Sequence, residues 1–526
     1  MQAVVTFEKA CEEISRGILV GGKMTEKAVR DEIIRVCTKY SLKQIPRNNE
    51  ILATVNGENY KTLQKILIRK PVKTASGVAV IALMAKPFAC PHGRCTYCPG
   101  GIEYNSPNSY TGNEPSTVSA IKNDYDPKMQ ILSKIEKLRA YGHDISKIEL
   151  VIVGGTFLFM PEQYRYEFIK SCYDALNGHV SSDLTCAQEA NVKSEHRNVG
   201  FTIETKPDYC RKEQIDVMLT YGITRVEIGV QSLQDHVLKR SNRGHGYKDI
   251  VKSFQEAKDS GYKITAHMMP GLPGSTPEMD LADFERLYSD SKFVPDMLKI
   301  YPTLVLRGTP LYDEYKAKTY KPYKEERMIS LIAKAKSKIP KWVRIMRVQR
   351  EISADEIIAG PKYGNLRQTV LRHMAENGIR CMCIRCREAG LSGKDSINGD
   401  LKLYRADYDS SGGREVFLSY EDADESVFGY LRLRMPSKDA HRPEITLNSC
   451  IVRELHVTGK TVRIGTRDGG IQHAGIGRDL LSKAESIAKE EFDCTKMLII
   501  SAVGTRGYYA KFGYRLDGPY MAKDMV

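Results

Sequence analysis

Between residues 76 and 360 the sequence repeats one pattern, a short apolar run followed by a longer stretch with helical periodicity. The runs are Val78–Met84, Glu149–Val153, Phe201–Glu204, Arg225–Val230, Ile264–Met268, Met297–Tyr301 and Val343–Val348. Strands joined through helices are parallel, because a helical crossover brings the chain back to start the next strand from the same end. The pattern therefore predicts an α/β fold, a parallel sheet curled into a partial barrel. Such arrays collect their chemistry at the C-terminal ends of the strands.

The flanks follow other rules. Residues 1–75 predict a small, basic, helical region. Phe7, Ala10, Cys11, Ile14 and Ile18 recur at helical spacing, and a second helix starts near Thr25. Lys61, Lys65 and Arg69 form a stripe, with no acidic residue between Tyr60 and Thr74; a solvated helix face would look the same. Residues 361–398 read as a basic linker rich in cysteine. From 399 to 526 the order changes: a loop at Asp407–Gly413, strands at Glu415–Tyr420, Val427–Arg434 and Glu444–Val457, a long helix at Ile476–Glu491 and a strand at Met497–Ser501. That predicts a separate α/β domain.

Charge and cysteine usage narrow the function. With 79 Lys+Arg against 65 Asp+Glu the net charge is +14, which favours a polyanionic partner. The longest apolar runs, Gly77–Ala85 and Val151–Met160, fall short of the roughly 20 residues of a spanning helix. Glu8, Lys9, Glu12 and Glu13 stand where a signal peptide would be apolar, so a cytoplasmic protein with no membrane association is expected. Thirteen cysteines, six of them in two tight groups, do not make a disulfide framework.

Cys90, Cys95 and Cys98 are spaced C-x4-C-x2-C directly after the first barrel strand. Three thiolates leave one iron of a four-iron cubane open to substrate. Structural zinc is the competing reading, with His92 inside the loop. The loop opens a βα array and ends in Pro99-Gly100-Gly101. Here the sequence resembles the radical S-adenosylmethionine (SAM) enzymes, and more closely the family of the Elongator catalytic subunit in its single-chain archaeal and bacterial form. The likeness covers nearly the whole chain. It is carried by Cys90–Gly101, Ser109-Tyr110-Thr111-Gly112, Val153-Gly154-Gly155-Thr156-Phe157, Thr202–Asp208, Gly229-Val230-Gln231-Ser232, Met269–Gly274 and Val503–Tyr509. The resemblance implies a [4Fe–4S] cluster on Cys90, Cys95 and Cys98. It also implies SAM bound by Gly154, Gly155 and Thr156, with Glu204 and Gln231 at later strand ends contacting ribose or amino groups.

Cys381, Cys383 and Cys386 form a C-x-C-x2-C group among arginines. Structural zinc between two domains fits this spacing, with a fourth ligand from elsewhere and His373 as a candidate; a second iron–sulfur cluster or uncoordinated buried thiols remain alternatives. In the C-terminal region Gln472, Gly475, Ile476 and Gly477 open the long helix as Q-x-x-G-x-G. Glycines let backbone amides surround a pyrophosphate at a helix N-terminus. This resembles the acetyl-coenzyme A (acetyl-CoA) loop of the GNAT acetyltransferases. The resemblance implies that the strand Glu454-Leu455-His456-Val457 binds the pantetheine arm and that Tyr508 or Tyr509 reaches the thioester while the other packs. It also assigns Lys147 to acetyl-CoA binding.

Eight basic residues and no acidic one span Arg327–Arg350, among them Lys341, Arg344 and Arg347, with Trp342, the only tryptophan, between them. Basic stretches with an interleaved aromatic suit phosphate contact with base stacking. The resemblance to the Elongator catalytic family implies an enzyme that transfers the acetyl carbon unit of acetyl-CoA to carbon 5 of the tRNA wobble uridine, giving 5-carboxymethyluridine. In the implied scheme a 5′-deoxyadenosyl radical takes hydrogen from the acetyl methyl, the carbon radical adds to the uracil, and water hydrolyses the thioester. The partners implied are a tRNA anticodon stem-loop and an electron donor; a homodimer and Elongator-like accessory subunits are left open. The alternative is a protein lysine acetyltransferase with Glu454 as base and a structural iron–sulfur domain.

Overall fold

A computed structural model describes residues 2–525, apart from Lys23, Lys43, residues 69–72, Asp395, Asn398, residues 460–470 and His473; the side chains of residues 2–5, Lys61 and Lys65 also lie outside the description. The central sheet has seven strands in the order β1 (Ala79–Met84), β2 (Lys147–Val153), β3 (Arg197–Thr205), β4 (Arg225–Gln231), β5 (Lys263–Met268), β6 (Met297–Ile300) and β7 (Arg344–Arg347). Every neighbouring pair is parallel.

Side chains alternate across each strand. Ile81, Leu83, Leu150, Ile152, Ile203, Ile228, Ala266, Leu298 and Ile345 point outward into one core under the helices. The opposite parity lines the barrel interior and is largely polar: Glu149, Thr202, Glu204, Arg225, Glu227, Lys263, Thr265, His267, Lys299 and Arg344. These polar residues form a chain of ion pairs along the barrel. Arg225 bonds Glu149 and lies 3.8 Å from Glu227. Glu227 bonds Lys299 and receives His267 Nε2 at 3.0 Å, and Lys299 lies 3.8 Å from Glu204. Burial opposes the charge on Lys299, but Glu227, Tyr301 and Glu204 outweigh it and hold the ammonium above its ordinary pKa.

The N-terminal region is a cluster of four helices, Gln2–Gly21, Glu26–Lys39, Asn48–Leu52 and Gly57–Leu67, around its own core of Ile14, Ile18, Val36, Ile51 and Leu63. Thr25 caps the second helix by accepting from Ala28 N at 3.2 Å. The cluster meets the barrel through Gln64, which donates to Gly142 O at 3.0 Å, and through an Arg47–Glu136 pair at 3.1 Å.

The C-terminal sheet is mixed. Its strands are β8 (Lys402–Ser410), β9 (Gly413–Glu421), β10 (Val427–Met435), β11 (Ser449–Val457), β12 (Lys496–Ile499), β13 (Arg515–Asp517) and β14 (Tyr520–Asp524), in the order β8-β9-β10-β11-β12-β14-β13. The helix Ile476–Glu490 packs across its middle. One expectation is corrected here. Asp407–Gly413 is not a loop, since Asp407–Ser410 belong to β8 and only Ser411 and Gly412 turn, both at positive φ. β8 is an edge strand with an exposed face, so its polar residues imitate a loop. β11 and β12 pair only over Ser449–Val452 and then separate.

The two sheets are joined by buried charges. Arg453 on β11 holds Asp296 through Nη1 at 2.8 Å and Nη2 at 2.6 Å, donates to Tyr262 O at 2.9 Å, and pairs with Glu415 at 2.8 Å. Arg434 bridges Glu415 at 2.9 Å and Asp259. Lys258 donates to Val294 O and Ser410 Oγ, each at 2.7 Å; burial pushes its pKa down to about 8 against the opposing pull of Asp296 and Glu415. Burial also opposes ionisation of Asp296, yet Arg453, Lys258 and Arg432 hold it well below the usual carboxylate range. Removing one member of such a network strands the others without water. Arg453→Met should therefore cost about 3–5 kcal/mol, read as a lower urea midpoint by circular dichroism; an unchanged midpoint would show that the lattice does not hold the sheets together.

Candidate active site at the two ends of one barrel

The upper end of the barrel is where the strands finish. Cys90, Cys95 and Cys98 lie on the loop after β1 and each sulfur receives a polar hydrogen. Asn108 Nδ2 donates to Cys90 Sγ at 3.2 Å, Ser109 N to Cys98 Sγ at 3.1 Å, and Arg243 Nη1 to Cys95 Sγ at 3.4 Å. Arg243 is buried and anchored on Gly229 O at 2.8 Å. Without a bound metal, burial and the neighbouring Cys95 push the Cys98 thiol up to about 11. Lys206 donates to His92 Nδ1 at 2.9 Å, and His92 Nε2 faces Cys95 Sγ at 3.2 Å. Burial, with the charges of Lys206 and Arg243, pushes His92 down to about 3, so the ring is neutral.

Spacing separates the two cysteine groups. Tetrahedral zinc on thiolates brings its sulfurs within about 3.8 Å of one another. Among the described residues, Cys381, Cys383 and Cys386 form a set whose ligand atoms all lie within 4.8 Å, as do Glu204, Glu227 and His267; Cys90, Cys95 and Cys98 are not such a set. The first group is thus set wider than the second, whose three sulfurs are close enough to share one ion. Lys299 already fills the carboxylate–histidine set.

Gly154 and Gly155 follow β2 at φ of 102° and 71°, a region where a β-carbon is strained. A Cβ on Gly154 would stand 2.9 Å from Pro107 Cβ. Gly154 N donates to Glu204 Oε2 at 3.1 Å. Thr156 is buried beside them. Gln231 ends β4 at φ of 71°, and its Oε1 has no hydrogen-bond partner. Six expected residues, Cys90, Cys95, Cys98, Gly154, Glu204 and Gln231, therefore come to one rim.

The expected acyl-carrier residues gather at the other end, where the strands begin. Lys147, the first residue of β2, donates to Gln472 Oε1 at 2.8 Å, and Gln472 Nε2 donates to Val457 O at 3.3 Å. Gly475 caps the helix at φ of 92°, followed by Ile476 and Gly477. A Cβ on Gly477 would stand 2.9 Å from Tyr508 Oη. Tyr508 is partly exposed there, while Tyr509 packs in the core. A cavity of about 240 Å³ lies beneath the barrel. Leu455, His456 and Tyr509 line it from one side, and Val80, Thr202, Arg225 and Arg344 from the other. Glu454 faces it but is bound to Arg432 at 2.8 Å and by Tyr430 Oη at 3.2 Å. Burial opposes its charge, yet Arg432 and Lys263 keep its pKa below the ordinary value.

Comparison with known proteins shows the family. Residues 7–75 match the ELP3 N-terminal domain, 87–286 the radical SAM superfamily and 295–376 the radical SAM C-terminal domain. A tRNA uridine(34) acetyltransferase of Methanocaldococcus infernus is 45% identical over 99% of this chain and 98% of its own. Human Elongator complex protein 3 is 45% identical over 93% of this chain and 92% of its own. The chain belongs to the Elp3 family. The solved structure of the Methanocaldococcus infernus Elp3 lacking residues 1–46 superimposes with a TM-score of 0.76 at 43% identity, covering 85% of this chain and 99% of that one.

As a radical SAM protein, this Elp3 family member is an enzyme whose superfamily implies a [4Fe–4S] cluster and SAM. The hydrogen-bonded, widely set thiols of the upper rim suit the cluster. Sequence reasoning missed Asn108, Lys206 and Arg243, which lie in loops or at a strand end beside the cysteine loop, and Glu227, His267 and Lys299 in the barrel interior. The last three leave a trace in the sequence, a polar or charged residue at every second position of otherwise apolar strands, as in Arg225-Val226-Glu227-Ile228.

The expected RNA contacts fare unevenly. Arg344 is buried in the barrel base and paired with Glu388 at 2.7 Å, so it is not an outer phosphate contact. Trp342 stacks on Tyr408 at 4.7 Å between ring centroids and is not a free platform for a base. Lys341 pairs with Glu425 and lies over the Tyr404 ring at 5.1 Å. Arg347 is half-exposed and pairs with Glu351 at 3.1 Å. The side chains of Lys61 and Lys65, and all of Arg69, lie outside the described residues. His373 is not in the set of close ligand atoms around Cys383.

The rim geometry yields a test. Gly154→Ala adds a β-carbon at positive φ, a cost of about 1–2 kcal/mol, together with the contact to Pro107. SAM affinity should fall about tenfold or more by calorimetry, with the cluster's visible absorbance intact; unchanged affinity would remove Gly154 from the methionine-binding loop.

Proposed function

We propose that this enzyme converts the wobble uridine of tRNA to 5-carboxymethyluridine with SAM and acetyl-CoA as co-substrates. The observation that carries the reading is that one barrel has a cluster-binding rim at its upper end and an acyl-carrier cradle at its base. The name of the Methanocaldococcus infernus relative, a tRNA uridine(34) acetyltransferase, supports the substrate. The cluster, when bound, supplies the electron that cleaves SAM. The residues of this chain supply placement. Gly154 and Gly155 admit the methionine backbone, Glu204 orients that loop through Gly154 N, and Gly475 to Gly477 take the pyrophosphate of the acyl carrier at a helix N-terminus. With SAM and acetyl-CoA held by these residues, one hydrogen atom would pass from the acetyl methyl to the 5′ carbon of the adenosyl group, and the acetyl carbon would bond to C5 of the uracil. Loss of the C5 proton and one electron restores the ring and balances the electron used in cleavage. Water then divides the thioester into carboxylate and thiol.

The lysine acetyltransferase reading needs Glu454 as a free base. Its bonds to Arg432 and Tyr430 make it a structural anion instead. Thirteen cysteines, none in a disulfide, support a cytoplasmic location; among the described residues no helix is long and apolar enough to cross a membrane.

Cys381, Cys383 and Cys386 are the proposed zinc ligands. Lys336 is fully buried with no hydrogen-bond partner on Nζ, and its charge acts on all three thiols. An unpartnered buried ammonium beside three sulfurs suits a metal–thiolate group carrying net negative charge. Cys383→Ala should lower zinc content by about one equivalent in metal analysis and reduce turnover through misplacement of the two sheets, while tRNA affinity changes less. Retained zinc would exclude the site.

The reading as a whole is tested with methyl-deuterated acetyl-CoA in single turnovers with tRNA. Deuterium should appear in 5′-deoxyadenosine, and Gly475→Glu should eliminate both the label and the modified uridine while leaving the cluster assembled. Deoxyadenosine that never carries label would show that the acetyl methyl is not the hydrogen source.

A further inference from the structure

The two ends of the barrel pose a problem of distance. Lys147 begins β2 and Gly154 follows its end, roughly 23 Å away at 3.3 Å per residue. Hydrogen abstraction needs contact between the reacting atoms. The acyl group and the adenosyl group must therefore meet somewhere between the cradle and the rim.

The lumen has two unlike walls. Along β1 to β3 the inward positions include Val80, Ala82, Glu149, Val151, Gly200 and Thr202; all but Glu149, which is held by Arg225, carry little bulk, and Val80 and Ala82 are exposed although both lie within a strand of the central sheet. Across from them stand Arg225, Glu227, Lys263, Lys299 and Arg344. In register, Ala82 aligns with Val151, Val151 with Thr202, and Thr202 with Arg225, so one level of the barrel runs from the small wall to the charged wall. The cavity at the base is continuous with this lumen. It is lined by Val452, Leu455 and His456 of β11, beside the gap where β11 and β12 separate, and by Val80, Gly200, Thr202 and Arg225 of the barrel.

Polar groups facing this space are incompletely used. Thr202 Oγ1, Arg225 Nε and Arg344 Nη1 have no hydrogen-bond partner, and all three residues are at least nine-tenths buried. Buried polar groups are rarely left unpaired unless a ligand or water completes them. Two guanidinium N–H groups and a hydroxyl suit a ligand with a carbonyl oxygen better than a hydrocarbon.

We propose that the acyl end of acetyl-CoA enters the barrel lumen from below, through the gap between β11 and β12, along the lane of Val80, Ala82, Gly200 and Thr202. This rests on the reading of acetyl-CoA as co-substrate. Arg225 and Arg344 donate to the thioester oxygen at the lumen base. The Glu227–Lys299–His267 layer above them marks the level at which the acyl methyl faces the adenosyl group descending from the rim. The open side of the half-barrel, beside Val80 and Ala82, is left for the nucleobase.

The test uses full-length enzyme with its cluster reconstituted. In Ala82→Cys, alkylation of the new thiol by iodoacetamide is followed by peptide mass spectrometry, with Cys186, an exposed native cysteine far along the chain, as internal reference. Acetyl-CoA at saturation should slow alkylation at position 82 at least fivefold and leave Cys186 unchanged, whereas adenosine 3′,5′-bisphosphate, which lacks the arm, should protect neither. A second variant, Ala82→Trp, fills the lane. It should bind SAM and acetyl-CoA within about twofold of wild type by calorimetry, retain the cluster absorbance, and lose deuterium transfer to 5′-deoxyadenosine at least 100-fold. If acetyl-CoA binds wild-type enzyme but does not protect position 82, or if Ala82→Trp transfers deuterium normally, the lumen route is overturned while the proposed function stands. If wild-type enzyme does not bind acetyl-CoA at all, both fall.

Discussion

The Arg453–Asp296–Glu415 junction is the contact on which the rest of the molecule depends. Asp296 immediately precedes β6 of the barrel and accepts from Ile264 N on β5 at 2.9 Å, so it is fixed by the barrel's own ladder. Arg453 lies on β11, within the strand that lines the basal cavity. Their bidentate contact therefore ties the position of β11 and the cavity it lines to the register of the barrel strands. Arg434, Asp259 and Lys258 extend the tie to the helix before β5. A hydrophobic contact of equal area could slide by a fraction of an ångström; a forked ion pair in a dry interior has one good geometry. A fixed relation between the ends of the barrel is what a reaction shared between them needs, since small misplacements of reacting groups are expensive.

The charged lumen follows from the same economy. A parallel barrel normally fills its interior with layers of branched apolar side chains. Here the outward faces of the strands carry the core, and the inward faces carry a chain of alternating charge from Glu149 through Arg225, Glu227 and Lys299 to Glu204. Each carboxylate in that chain has a cationic neighbour within 4 Å, which is how ionised groups tolerate burial. Glu204, at its upper end, bonds Gly154 N and so links the interior to the methionine loop.

The parts of the fold that repeat were legible from residue pattern. All seven barrel strands fall where apolar runs alternate with helical stretches, because a buried parallel strand has few polar residues to blur it. The helix Ile476–Glu490 and the turn at Gly475 were legible for a similar reason. Edge elements were not: β8 reads as a polar loop, and β13, the opposite edge, has only three residues, none of them buried. Of the basic run between Arg327 and Arg350, spacing alone could not tell outer charge from inner. Arg347 stays partly in solvent. Arg344, three residues earlier, turns into the barrel to meet Glu388, a partner 44 positions away.

The cysteine spacings, the Gly-Gly-Thr turn and the glycine loop are local, because a metal or a phosphate is gripped by residues close together in the chain. Sequence alone was therefore enough to locate two close cysteine groups, a Gly-Gly-Thr turn at a strand end and a glycine turn that opens a helix. Whether these face one another, and across what, depends on contacts between residues more than a hundred positions apart: Lys147 with Gln472, Arg243 with Cys95, Arg453 with Asp296. Each of these is a charged or polar side chain whose partner is chosen by packing, since burial penalises an unpaired charge and accepts whichever counter-group the fold brings near. The sequence determined which chemistries the chain carries; only the tertiary structure decided that two of them occupy opposite ends of one barrel, because only folding determines which charges are buried together.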